Sequence, residues 1–248
     1  MSAYGDFAGL YDQLMDDFDY PAWADYYLQL LRRAGVEPRA LCDCACGTGS
    51  LSIPFAQRGI RVTGVDLSGE MLRIAADKAR SSGVQVMFVR QNMRRLTLPK
   101  AVDALVCGCD GVNYLLTDDH AAEFFRRAHA AIRPGGALAF DISSAYKLEQ
   151  VLGDNFFGEE RDDVAYLWFN RWDEQRRTVR MDLTFFRRED GGLYRRFSET
   201  HVQRAHDPLQ LSRILTQCGF SGIEIYGDRT FEAPRADEMR IHMIAVRE

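Results

Sequence analysis

Apolar positions along the chain follow two rhythms, and their alternation predicts the fold class. Residues 6 to 34 read as mostly helical, with an apolar stripe through Trp23, Tyr26, Tyr27, Leu30 and Leu31, Pro21 in the first turn, and Gly35 and Pro38 at the end. Short apolar runs then alternate with amphipathic stretches. Strands are predicted at 40–42, 59–65, 84–89, 101–107 and 137–142, and helices at 50–58, 69–81 and 118–132, the last capped by Thr117 and ended by Arg133-Pro134-Gly135-Gly136. Strands that alternate with helices imply a parallel sheet covered on both faces. After Ser144 the rhythm changes to period two: 164–170, 178–187 and 193–203 read as antiparallel strands joined by turns at Asp173-Glu174-Gln175 and Asp190-Gly191-Gly192. A helix at 208–217 and two strands at 223–226 and 240–246 return to the main sheet.

The expected organisation is therefore an N-terminal helical lid over residues 1–36, a doubly wound α/β core over 37–145 and 207–248, and an inserted antiparallel β subdomain over 146–206. Composition adds exclusions. The 248 residues carry 31 Lys+Arg against 36 Asp+Glu, a net charge of −5, which argues against a protein held to nucleic acid by bulk charge. Between residues 158 and 197 nine Arg face nine Asp+Glu, so even the Arg-rich insert is neutral. No apolar run approaches the roughly 18 residues of a membrane span and the first residues lack a secretion signal, so a cytoplasmic location is expected. Three of the six cysteines stand as Cys42-x-Cys44-x-Cys46, too close on one strand for mutual disulfides. They are read as reduced, small apolar residues. No metal site is expected, because CxCxC lacks the common CxxC spacing and no partner pair follows.

The chemistry concentrates after the first core strand, in Leu41-Cys42-Asp43-Cys44-Ala45-Cys46-Gly47-Thr48-Gly49. Glycines there let backbone approach a ligand, and the next helix offers free N–H groups. Asp66 closes the following strand, where an acid can accept hydrogen bonds from both hydroxyls of a ribose. The run lacks GxGxxG, and the Asp43 carboxylate would repel a diphosphate but suits an ammonium or a sulfonium-linked cofactor. An NAD enzyme is disfavoured on both counts, and S-adenosylmethionine is favoured.

With these residues in hand, the chain resembles the class I S-adenosylmethionine-dependent methyltransferases. The resemblance rests on the loop above, on Gly64-Val65-Asp66-Leu67-Ser68-Gly69-Glu70-Met71-Leu72, on Arg90-Gln91-Asn92-Met93, and on Arg133-Pro134-Gly135-Gly136-Ala137-Leu138, in the family's order across residues 41 to 142. It implies a Rossmann-like, mostly parallel seven-stranded sheet with an antiparallel last strand. It also implies S-adenosylmethionine as cofactor and S-adenosylhomocysteine as product. Asp43 would stand near the methionine amino group, with Ala45, Cys46, Gly47 and Gly49 around the cofactor, Ala45 replacing the family's usual first glycine. Asp66 would hold the ribose, Leu67 and Met71 would lie against adenine, and Asn92 with the Met93 N–H would meet the adenine edge. The flanks, Tyr4 to Asp12, Asp110 to Tyr114 and Phe197 to His201, are similar to small-molecule members such as sugar N,N-dimethyltransferases and glycine N-methyltransferases. That similarity places Tyr11 and Trp23 over the cofactor, and Cys109, Asp110, Tyr114, Tyr146 and His201 toward cofactor and acceptor. The candidate catalytic residues are His201, Tyr11 and Tyr114.

The expected activity is methyl transfer to a small polar acceptor, at nitrogen ahead of oxygen or carbon. Nucleic acid is disfavoured as a partner: the Asn/Asp-Pro-Pro-Tyr motif of many amino-methylating enzymes acting on macromolecules is absent, and Cys109-Asp110-Gly111-Val112 stands there. An RNA or protein methyltransferase and a catalytically silent cofactor-binding regulator remain the alternatives, and the sequence favours neither a monomer nor a homodimer.

Overall fold

The computed structural model describes residue 12 and residues 18–248. Its first complete element, α1 (Tyr20–Arg33), begins where sequence signals converge: Asp19 accepts the Ala22 N–H at 3.0 Å and Pro21 sits in the first turn. The helix packs on the core. Trp23, Tyr27, Leu30 and Leu31 are buried against Leu41, Val62 and Val106 on one face of the main sheet, and each such aromatic or leucine contributes about 1.5–3 kcal/mol by leaving water.

The remaining core elements follow in order: β1 (Ala40–Cys44), α2 (Ser52–Gln57), β2 (Arg61–Asp66), α3 (Gly69–Ser81), β3 (Val86–Arg90), β4 (Val102–Cys107), α4 (Asp118–Ala131) and β5 (Ile132–Ser143). After the second sheet come α5 (Pro208–Gln217), β10 (Phe220–Tyr226) and β11 (Arg240–Arg247). The seven strands lie in the order β10-β11-β5-β4-β1-β2-β3; pairs among β1 to β5 are parallel, and β11 runs antiparallel to both neighbours. Because β1 is buried on both faces, its alternate residues serve opposite layers. Leu41 joins the α1 side, whereas Cys42 and Cys44 join Phe124, Phe125 and Phe140 on the α4 side. These cysteines and Cys107 are fully buried beside apolar neighbours, and burial lifts the Cys42 thiol well above its ordinary range.

The second sheet is four antiparallel strands in sequence order, β6 (Phe156–Glu160), β7 (Val164–Asp173), β8 (Thr178–Arg188) and β9 (Tyr194–Arg204). Three were expected. The additional β6 pairs with β7 at the edge, and the segment before it, Lys147–Leu152, is a π-helical turn whose Leu148 and Leu152 pack on Val179 and Met181. This sheet meets the core where Phe185 buries against Met71 of α3. Among the described residues no helix is long and apolar enough to cross a membrane.

Candidate functional site

A cavity of about 460 Å³ opens at the carboxyl ends of β1, β2 and β4, the position at which open α/β sheets bind ligands. The loop after β1 turns through three left-handed residues, Ala45 (φ 59°), Gly47 (φ 53°) and Gly49 (φ 74°), of which Ala45 and Gly47 line the cavity floor and Gly49 does not. At Gly47 a Cβ would enter open space, so backbone is presented to whatever fills the cavity. Gly49 has a packing role instead: a Cβ there would stand 3.0 Å from Ala75 and 3.1 Å from Phe88.

Two carboxylates converge on this loop from adjacent strands. Asp66 at the end of β2 accepts the Gly47 N–H at 2.9 Å and the Ser68 N–H at 2.8 Å. Burial raises its pKa, and those backbone bonds oppose the shift. Asp43, only 1% exposed at the end of β1, accepts the Ser52 hydroxyl at 2.5 Å. Its pKa is pushed up to about 7, first by burial and then by the Asp66 charge, against the Ser52 bond. A buried acid without a basic partner among the described residues suits a cation that arrives with the ligand.

The apolar wall comes from Met71, 2% exposed, and from Leu67, which is 60% exposed at the rim. Asn92 and Met93 close the far end, where the Asn92 side-chain oxygen accepts the Arg94 N–H at 2.9 Å and so caps a short 3₁₀ turn. Cys109, just past β4, and Tyr114, which ends the 3₁₀ turn Gly111–Tyr114, complete the lining with Asp43, Ala45, Cys46, Gly47 and Asp66.

Several expected residues lie elsewhere. Trp23 is buried among Phe18, Tyr27 and His242, with the Arg240 guanidinium 5.0 Å over its ring. Tyr20, one helical turn earlier, lines the cavity in its place; the amphipathic stripe does not separate the two. Asp110 does not line the cavity either, because its carboxylate takes Arg240 Nη1 at 2.8 Å and Gln203 Nε2 at 2.7 Å. His201 sits behind Tyr114, with Nδ1 3.3 Å from the Tyr114 hydroxyl. Burial lowers the His201 pKa and the Asp110 charge partly offsets this, so the imidazole is neutral near pH 7. Tyr146 is exposed by 39% and lines a separate recess. Tyr11 lies outside the described residues. His120 and Leu116 line the cavity with no motif to announce them.

Comparison with known proteins adds the following. A family model described as a methyltransferase domain matches residues 41–136. A Geobacillus sp. (strain WCH70) protein that carries the name methyltransferase, with no acceptor specified, is 35% identical over 98% of both chains. The crystal structure of an S-adenosylmethionine-dependent methyltransferase from Clostridium acetobutylicum ATCC 824 superposes with a TM-score of 0.88 at 31% identity, over 98% of both chains. The sugar N-methyltransferase KedS8 from Streptoalloteichus sp. ATCC 53650 shares the fold, with a TM-score of 0.77 at 20% identity over 100% of this chain and 97% of that one.

Proposed function

Since the chain belongs to the class I S-adenosylmethionine-dependent methyltransferases, we propose that it methylates a small polar acceptor at nitrogen, with His201 taking the proton that the acceptor loses through the Tyr114 hydroxyl, which accepts it from the acceptor and passes its own to the imidazole. The cavity chemistry fits the cofactor: two carboxylates for cationic and hydroxyl donors, an apolar wall for a planar base, and a floor without Cβ at Gly47. When bound, S-adenosylmethionine supplies a sulfonium methyl group, which leaves by in-line displacement.

In this reading Asp43 accepts hydrogen bonds from the methionine ammonium and Asp66 from the ribose hydroxyls. Leu67 and Met71 hold the adenine face, while Asn92 and the Met93 N–H hold its edge. Dispersal of charge during transfer leaves the protein chiefly the tasks of alignment and water exclusion. Residues 37–145 and 207–248 act as the cofactor-binding core, residues 1–36 cover it, and the layer 146–206 shapes the acceptor side. KedS8 is named for methylation of a sugar nitrogen, which supports a small molecule as partner. The working location is the cytoplasm.

The choice of nitrogen is supported by the likeness to a sugar N-methyltransferase, and a neutral imidazole, buried and bonded to a cavity-lining tyrosine, supports an acceptor that loses a proton. A labelled-methyl transfer screen over amines, amino acids, nucleotide sugars and bulk RNA tests the acceptor; label only on oxygen acceptors or RNA defeats the proposal. Calorimetry tests the cofactor arrangement separately: Asp66→Ala is expected to weaken S-adenosylmethionine at least about tenfold.

A further inference from the structure

The turn after β4 has a backbone that the cofactor contacts alone do not account for. Cys109 and Asp110 are consecutive residues with φ of 54° and 56°, in the left-handed region that a Cβ disfavours and glycine enters freely. Two such residues in succession persist only where the surroundings impose them. The glycines on either side are set by close approach. A Cβ on Gly108 would lie 2.6 Å from Leu51 Cδ1, and one on Gly111 would lie 2.8 Å from Cys107 Sγ and 3.0 Å from Ala45 Cβ. The turn is therefore pressed onto the loop that floors the cavity, and Gly108, Cys109 and Gly111 themselves line it.

One carboxylate imposes this geometry. Asp141 of β5 is fully buried; one of its oxygens accepts the Cys109 N–H at 2.7 Å and the other the Asp110 N–H at 2.9 Å. The Tyr27 hydroxyl of α1, at 2.5 Å, and the Arg240 guanidinium of β11 fill its remaining capacity. Arg240 also holds Asp110, whose second oxygen is held by Gln203 of β9. A single guanidinium thus serves two carboxylates, Asp141 fully buried and Asp110 partly so, and no fully buried polar side-chain atom of the cluster lacks a partner among the described residues, the condition under which buried charge is tolerated.

We propose that Asp141 is a positioning residue for methyl transfer: by clamping both amides of Cys109–Asp110 it fixes the cavity wall against the cofactor loop, and through Arg240 and Asp110 it joins that wall to the strand bearing His201. The proposal rests on the cavity being the cofactor site. Asp141→Asn preserves shape, but with its one oxygen kept by the Arg240 cation and the Asp110 N–H, its amide nitrogen faces the Cys109 N–H, which is a donor itself. Left-handed backbone at 109 then lacks its support.

Hydrogen exchange over residues 108–114 and calorimetric binding of S-adenosylhomocysteine, compared across the wild type, Asp141→Asn and Asp141→Asn/Cys109→Gly, test this. Asp141→Asn is expected to speed exchange at 109–110 and to weaken S-adenosylhomocysteine about tenfold. Glycine at 109 is expected to bring affinity back to within about threefold of wild type, because it meets the φ requirement without help. Wild-type exchange and affinity in Asp141→Asn, or a loss that glycine does not repair, overturns the proposal. If Asp141→Asn does not fold, Gly111→Ala pushes the turn off Ala45 without touching the carboxylate; wild-type affinity in that variant also overturns it. An unsubstituted protein that does not bind S-adenosylhomocysteine defeats the cofactor reading instead, and the exchange comparison still judges the clamp.

Discussion

Gln203 of β9 donates its side-chain amide to Asp110 at 2.7 Å, so the second sheet grips the residue that follows the fourth core strand. The same stretch holds the rest of that turn. Arg204 O accepts from Asn113 Nδ2 at 2.9 Å, His206 Nε2 lies 3.2 Å from Val112 O, and His201 meets Tyr114. A turn held at residues 110, 113 and 114 by one strand, and at 112 by the segment just after it, shifts with that strand, which connects the acceptor side to the cofactor wall.

Removing the Gln203 amide should therefore loosen the joint. Gln203 is 5% exposed and its acceptor is a carboxylate, so Gln203→Leu is expected to cost about 2 kcal/mol, read as a Tm lowered by several degrees. Burial works against ionisation of Asp110, but Arg240, Lys147 and the Gln203 bond outweigh it and hold the carboxyl below its usual range. A depressed folded pKa contributes stability above the unfolded value that is lost as pH falls. The deficit of Gln203→Leu should accordingly be full at pH 7 and shrink toward pH 3. A Tm equal to wild type at pH 7 refutes the assignment.

Asp43 predicts opposite pH trends for the free and the ligand-bound protein. Its folded pKa of about 7 lies above the unfolded carboxylate value, so its contribution to stability is fully present at low pH and is lost as pH rises through about 7. The ammonium of a bound cofactor needs the ionised acid, so affinity should rise over the same range. Calorimetry from pH 6 to 8 should show S-adenosylmethionine binding tightening and protons released on binding near pH 7. Asp43→Asn should remove the pH dependence. Affinity flat across that range in the wild type contradicts the assignment.

The sequence disclosed the core elements because their signals are local. Asp19 and Pro21 start α1, Thr117 starts α4, and the runs of β1, β2 and β4 are too apolar for an exposed surface. It missed β6, since Phe156-Phe157-Gly158-Glu159-Glu160 lacks period-two alternation and pairs on one side only. The cavity loop and both acids were legible for the same local reason. Tyr20 and Trp23 share a helical stripe, and only tertiary packing decides which of them meets the cavity. Asp141, Gln203 and Arg240 left no signal, because their partners lie 31 to 130 positions away.

A surface network at the other side of the loop should matter more to binding than to stability. Lys78 Nζ reaches Asp12 at 2.7 Å and Ser50 at 2.7 Å, and Thr48 donates to Asp12 at 2.7 Å. Lys78 and Asp12 are about a third exposed, so water screens the pair and Lys78→Met is expected to change stability by under about 1 kcal/mol. Thr48 and Ser50 line the cavity, so S-adenosylhomocysteine should bind about threefold more weakly. A large Tm loss with unchanged affinity reverses that ranking.

The proton-transfer role of His201 has the sharpest kinetic signature. Burial lowers its pKa from the ordinary histidine value and Asp110 only partly restores it, so the neutral base is available at pH 7 and is protonated on the acid side. With an acceptor identified by the labelled-methyl screen, the transfer rate should decline on that acid limb. His201→Gln keeps polarity but cannot titrate, and it should lower kcat by about 10²-fold or more and abolish the limb. Tyr114→Phe removes the hydroxyl that links His201 to the cavity; it should lower kcat to a similar extent and abolish the limb as well. Cofactor affinity should stay near wild type in His201→Gln, because the imidazole lies behind Tyr114 and not on the cavity wall. An unaltered rate in His201→Gln at pH 7 would leave alignment alone as the source of catalysis and remove the base from the mechanism.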